Sequence, residues 1–130
     1  MVLDSDCVRD VLMAVERCEF GETLTLEALC QQVGQRSREE VWYTCLKLEE
    51  GGFMRLTLVP QMRQALPGIK SIDDLTYQGH EFIAKIRDAQ QWTAVKKGVK
   101  AVRNYSLSAI SSIAEGVTAA AISAYLKPDP

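Results

Sequence analysis

The strongest structural signal in the chain is a helix start at residues 37–40, followed by a helix stop and then by an alternating pattern. Ser37 and Glu40 have the spacing of a capping box, in which each side chain accepts a hydrogen bond from the other residue's backbone N–H. Gly51-Gly52 ends the helix that this box begins, and residues 53–59 alternate between apolar and polar, which predicts a strand.

Weaker signals of the same kind extend the pattern in both directions. The predicted elements are, in chain order, a helix at about 4–19, a stub of strand at 23–25, a short helix that Thr25 caps and Gly34 ends, the helix from Ser37, strands at 53–59 and 69–75, and a helix that Thr76 begins. This order is typical of a winged helix-turn-helix, with residues 34–36 as the turn and 53–75 as the wing.

Two further helices are predicted beyond that core. Val95, Val99 and Val102 space a fifth helix, and 106–126 has the composition of a sixth. We therefore predict a mostly α fold with a small β-hairpin. A winged-helix-like domain would span 1–90, and a C-terminal helical extension would span 91–130.

Charge is distributed unevenly along the 130 residues, whose formal net charge is only −2. Residues 1–84 carry −6, residues 85–103 carry +5, and residues 104–130 carry −1. The overall balance excludes a histone-like polycation. The local balance predicts three different surfaces: an acidic front, a basic helix and an almost uncharged tail.

Residues that could perform catalysis are sparse, and we predict a protein that is not an enzyme and has no cofactor. His80 is the only histidine, and the sequence contains no nucleophile elbow, GxGxxG, Walker loop or HExxH motif. The cysteines are widely spaced without a CxxC pair, which favours buried thiols over a zinc site; they are Cys7, Cys18, Cys30 and Cys45.

The segment from Leu75 to Phe82, with Gly79-His80-Glu81 at its centre, resembles a family known as domain of unknown function 2513. Ile86-Arg87-Asp88, Trp92, the opening run 6–10 and Ser106-Leu107 are similar to the same family. Its members are common in bacterial genomes and prophages. The resemblance implies no activity, but it implies a phage-linked setting that favours gene regulation or interference with host machinery. The Leu-Thr-x-x-Gly run is also similar to winged-helix regulators, in which the glycine permits close packing.

A winged-helix protein suggests DNA as a ligand, and a small set of side chains would make the contacts. They are Arg36, Arg38, Tyr43 and Lys47 around the third helix, and Arg55 and Arg63 on the wing, with Lys70 nearby. Four glutamates on the third helix oppose a polyanion. Useful affinity would therefore need a dimer and would fall steeply with salt.

The basic helix is a second candidate surface for nucleic acid, an acidic partner, anionic lipid or the protein's own acidic front. Its cations are Lys96, Lys97, Lys100 and Arg103. The last helix has a seam of small residues, which favours either self-association or packing onto its own domain. The seam consists of Ser108, Ser112, Gly116, Ala120 and Ala124.

A membrane is not predicted as a partner. Glu115 divides the tail into two uncharged stretches, 104–114 and 116–126, each too short to span a bilayer. One acid near the middle costs roughly 3 kcal/mol, which offsets the contribution of the apolar residues. The start of the chain lacks the pattern of a secretory signal, so we expect a cytoplasmic protein.

Three functions remain open at this level. The first is a phage-associated, DNA-binding transcriptional regulator that acts as an oligomer. The second is a protein-binding inhibitor or adaptor of a host complex, for example a host-defence antagonist, which uses the acidic front or the basic fifth helix. The third and least favoured is a membrane-active oligomer built on the last helix.

Overall fold

The computed structural model describes residues 1–61 and 64–127, and the chain divides into two compact units, Met1–Glu81 (unit 1) and Phe82–Pro130 (unit 2). The division falls within a helix, whereas the sequence prediction ended the first domain at residue 90. The elements are α1 (Ser5–Glu16), α2 (Leu26–Gln32), α3 (Arg38–Glu50), β1 (Met54–Val59), β2 (Gly68–Leu75), α4 (Tyr77–Ile86), α5 (Ala89–Val102) and α6 (Leu107–Leu126). The predicted class, mostly helical with a small antiparallel hairpin, is confirmed.

The helices begin at capping residues that the sequence identifies. Thr25 accepts a hydrogen bond from the N–H of Ala28, and Ser37 accepts one from the N–H of Glu40, both at 3.1 Å. Ser106, which is not among the predicted caps, begins α6 in the same way. Each of these bonds satisfies a backbone donor that the first turn of a helix otherwise leaves unpaired.

The first helix is shorter than predicted. The first helix ends at Glu16 rather than near Glu19, because the carboxylate of Glu22 accepts the N–H of Glu19 and closes a turn there. The chain also bends after α4, since Asp88 accepts the N–H of Gln91 and begins a new helix.

Helix α3 lies at the centre of unit 1, in contact with α1, α2 and β1. The indole N–H of Trp42 donates to the carbonyl of Pro67 at 2.9 Å and ties α3 to the hairpin. The predicted stub of strand is present as a bridge in which Leu24 and Ile72 exchange two backbone hydrogen bonds. The hairpin is therefore held to the helical core by α3 and by the segment that precedes α2.

The start of α4 approaches the start of β1 unusually closely. The hydroxyl of Thr76 donates to the carbonyl of Gly52 and accepts the N–H of Gly79. A Cβ added at Gly79 would lie 2.0 Å from the carbonyl oxygen of Phe53. This contact requires glycine, because the neighbouring atom belongs to the backbone and cannot rotate away.

Unit 2 contains an α-hairpin in which α5 and α6 contact each other after a short connection. A Cβ at Gly98 would lie 2.8 Å from Cγ2 of Ile113, so the two helices meet closely at this point. Trp92, Val95 and Val99 are the buried residues of α5, while the predicted stripe residue Val102 is 60% exposed. The apolar stripe of α5 is thus shorter than its sequence indicates.

We predict that Gly79→Ala destabilises the protein by about 2–3 kcal/mol, because the added methyl group overpacks against backbone. Urea unfolding followed by circular dichroism measures the change. His80→Ala is the matched control, since His80 is exposed on the same helix and its loss should change the free energy of unfolding by about 0.5 kcal/mol or less. Equal stabilities for the two variants would contradict the packing described here.

Candidate interaction surfaces

Helix α3 buries one side in unit 1 and leaves the other accessible to solvent. Its buried residues are Val41, Trp42, Thr44, Cys45, Leu46 and Leu48. The side chains that remain accessible, which we call the α3 stripe, are Arg38, Glu39, Glu40, Tyr43, Lys47, Glu49 and Glu50. The stripe carries four glutamates against two cations. Its field therefore repels a polyanion near the helix predicted to read DNA.

Both cations of the stripe are engaged with glutamates. Nη2 of Arg38 lies 3.3 Å from Oε1 of Glu27, and Nζ of Lys47 lies 2.9 Å from Oε2 of Glu50. The hydrogen bond to Glu50 raises the pKa of Lys47 above its ordinary value. Arg38 also stacks over Trp42, and Lys47 over Tyr43. Each of the two cations on α3 that are predicted to contact DNA thus lies beside a glutamate and an aromatic ring.

Arg36 is held inside unit 1. Its Nη1 lies 2.8 Å from Oδ2 of Asp10 and donates to the carbonyl of Val33 at 3.2 Å, and only 18% of the side chain is exposed. Burial is the largest single influence and lowers the pKa of Arg36, but the hydrogen bond to Asp10 and the charge interactions with Cys7, Asp10 and Asp4 together outweigh it and raise that pKa. The guanidinium joins the turn before α3 to α1, which is a structural role that the sequence did not suggest.

On the hairpin, Arg55 and Lys70 are exposed, while Arg63 lies outside the described residues. The acid Asp74 sits opposite Arg55 in the strand register. Leu58, Val59 and Leu66 are exposed large apolar residues in the same part of the chain. The hairpin therefore offers both cations and apolar contact area.

The thiols fall into two groups by burial. Cys7 and Cys45 are buried, and Cys18 and Cys30 are half-buried. Burial raises the pKa of Cys45 to about 12, while the Cys7 thiol accepts a hydrogen bond from Thr44. Among the residues that the structure describes, no group of three or more His, Cys, Asp or Glu side chains is arranged to hold a metal ion.

In unit 2, the cations of α5 are all exposed. Lys96, Lys97, Lys100 and Arg103 form what we call the basic α5 face, and the sequence has no acidic residue between 89 and 114. Nζ of Lys96 lies 5.8 Å from the ring centroid of Trp92. Arg103 ends the helix in the left-handed conformation, with φ of 55°. This helix therefore presents positive charge to solvent without acids of its own.

The small-residue seam of α6 is fully exposed. Ser108, Ser112, Gly116, Ala120 and Ala124 all face solvent, and a Cβ at Gly116 would meet nothing within 4 Å. Only Ile110 and Ala114 of this helix are buried, and every residue from 119 to 126 is exposed. Self-association through the seam stays a prediction.

These features define a mostly helical protein with a β-hairpin in its first unit and an α-hairpin in its second. A family model described as "Hypothetical protein (DUF2513)" matches residues 2–106. The chain belongs to this family, which confirms the resemblance found in its sequence. The match ends one residue before α6 begins. A comparison with curated proteins finds no match, and a comparison with solved structures finds none either.

We predict that Arg36→Ala lowers the free energy of unfolding by about 1.5 kcal/mol, since it leaves the partly buried Asp10 without its charged hydrogen-bond donor. Arg38→Ala is the control, because its ion pair is half-exposed and should contribute roughly 0.5 kcal/mol or less. Chemical denaturation compares the two. A larger loss for Arg38→Ala would show that Arg36 is not the structural cation.

We predict that iodoacetamide modifies Cys18 and Cys30 in the folded protein and leaves Cys7 and Cys45 unmodified at mildly alkaline pH. The thiolate is the reactive form, and burial holds Cys45 protonated far above that pH. Intact-mass spectrometry should find two adducts without urea and four with it. Rapid native labelling of Cys45 would contradict the burial of α3.

Proposed function

We propose that the protein is a non-enzymatic winged-helix protein whose unit 1 binds a cationic surface of a partner protein through the α3 stripe. The winged-helix assignment is supported by the order of elements, with α2 and α3 joined by a short turn and followed by a hairpin to which Leu24 adds a bridge. One observation carries the binding proposal: the accessible side of α3 has an excess of glutamates, and its two cations are paired with glutamates.

The chemistry of the stripe suits a protein better than a nucleic acid. Neutralising phosphates requires cations that can leave their present partners, and each departure here would expose a glutamate to the polyanion. A partner surface with lysines or arginines would instead complement the glutamates. Tyr43 lies half-exposed within the stripe, and tyrosine is enriched where protein interfaces concentrate their binding energy.

The family resemblance supports the same function at a coarser level. A phage-linked setting favours proteins that interfere with host machinery, and an inhibitor or adaptor of a host complex needs a recognition surface but no catalytic group.

A DNA-binding regulator is the second candidate, and the hairpin favours it. Arg55 and Lys70 are exposed there, in the part of a winged helix that commonly contacts the phosphate backbone. In that case the hairpin, rather than α3, would supply the contacts of unit 1. Affinity would be low for a single protomer and would depend steeply on salt.

We predict that the Glu50→Lys variant retains at least tenfold less of the partner protein from a bacterial lysate than the wild-type protein does. The substitution places a like charge against the cationic surface of the partner. The substitution lies in the last turn of α3, where a cation is compatible with the helix dipole. Glu19→Lys, in the exposed loop after α1, has the same change of charge and serves as the control. Quantitative mass spectrometry of the retained proteins compares the three forms.

An anisotropy titration with a labelled random duplex at low salt separates the two candidates. If the α3 stripe binds a protein, we expect that neither Arg55→Ala nor Lys70→Ala weakens binding of the duplex relative to the wild-type protein. Binding that these variants weaken and Glu50→Lys strengthens would favour the DNA-binding regulator. Partner retention that responds equally to Glu50→Lys and Glu19→Lys would exclude the α3 stripe as the binding surface.

A further inference from the structure

Helix α6 has the dimensions and composition of a bilayer-spanning helix. It has 20 residues, a mean hydropathy of 1.4 over its most apolar window, and only 11% of that window is buried. At 1.5 Å per residue it extends for about 30 Å, which matches the hydrocarbon thickness of a bilayer. A core helix of a soluble protein is mostly buried, and α6 is not; nor does it lie near the start of the chain, as a signal sequence does.

The exposure of the last two turns of α6 on all sides indicates what covers this part of the helix. Every residue from Ala119 to Leu126 is accessible, which amounts to about two helical turns without a packed side. Ile122, Tyr125 and Leu126 are 53%, 86% and 70% exposed. A helix from a second copy would cover one side and leave the others in water. Lipid chains would cover the whole circumference.

The residues that flank α6 have the arrangement found at membrane interfaces. Tyr105 precedes the helix and Tyr125 lies in its last turn, both exposed, at the two levels where aromatic side chains meet headgroups. The basic α5 face comes just before α6, within the distance over which lysine and arginine set the orientation of a span. Its charge complements anionic headgroups.

We infer that α6 inserts into a bilayer that contains anionic lipids, with the basic α5 face bound to headgroups on the cytoplasmic side. The inference is independent of the function proposed for unit 1. It also concerns a part of the chain that the family match does not include, since that match ends at residue 106.

Two features oppose insertion. Inserting α6 breaks the ion pair in which Oε1 of Glu115 lies 3.1 Å from Nζ of Lys85, and it places one acid in the hydrocarbon region at a cost of roughly 3 kcal/mol. Withdrawing α6 from α5 also uncovers Trp92, Val95 and Val99, the buried residues of α5. Once inserted, the exposed seam around Gly116 lets two α6 helices approach closely.

Vesicle flotation with the full chain tests the inference. We expect the wild-type protein to float with vesicles of equal parts phosphatidylcholine and phosphatidylglycerol, and to remain bound through high-salt and alkaline carbonate washes. Ala119→Lys should reduce the washed, bound fraction at least tenfold, because it places a charge in the hydrocarbon region. Ala65→Lys, also at an exposed alanine but on the hairpin loop, should float like the wild-type protein.

The basic α5 face is tested separately. Replacing Lys96, Lys97 and Lys100 with glutamine should weaken partition onto the anionic vesicles at low salt on the order of a hundredfold. Failure of the wild-type protein to float would overturn the inference, and so would flotation that carbonate reverses and Ala119→Lys does not change. A stable dimer that ignores vesicles, and that Ala119→Lys converts to a monomer, would assign α6 to a second copy. None of these outcomes changes the expected retention of a partner by unit 1.

Discussion

The burial of α3 is the constraint on which unit 1 depends. Three neighbouring elements pack against this helix, and the indole of Trp42 donates a hydrogen bond to the hairpin, so one side of the helix belongs to the core. The other side carries charged side chains and one tyrosine. Because the core leaves no other side of α3 accessible, these charges decide what the helix can bind.

The two units differ in the kind of surface they expose. Unit 1 carries the acidic excess of the chain, and its accessible cations near α3 are bound to glutamates. Unit 2 carries the basic α5 face and an apolar helix with little burial. The family match covers unit 1 and α5 but not α6. These differences are the basis on which we propose that unit 1 binds a protein and that α6 inserts into lipid.

The sequence correctly predicts those structural features that depend on residues close together along the chain. The caps at Thr25, Ser37 and Thr76 and the stop at Gly34 act within one helical turn, so their residue types and spacing suffice to predict them. The close approach at Gly79 is equally marked in the sequence, although only the structure identifies the backbone atom that requires it.

The sequence does not predict contacts between residues that are far apart along the chain. Arg36 and Asp10 are 26 positions apart, and Arg38 and Glu27 are 11 apart, so no local pattern shows that these arginines are engaged. The exposure of α6 is also invisible in the sequence, because an apolar helix has the same composition whether a core or a lipid covers it. Both facts decide which surfaces are available for binding.

Hydrogen–deuterium exchange of the full chain, with and without vesicles that contain phosphatidylglycerol, tests most directly whether lipid binds unit 2 and leaves the α3 stripe of unit 1 free. We expect vesicles to slow exchange along Leu107–Leu126 and to leave exchange in Arg38–Glu50 unchanged. Slower exchange in α3 with no change in α6 would contradict this expectation, because the lipid would then be contacting the surface that we assign to a protein.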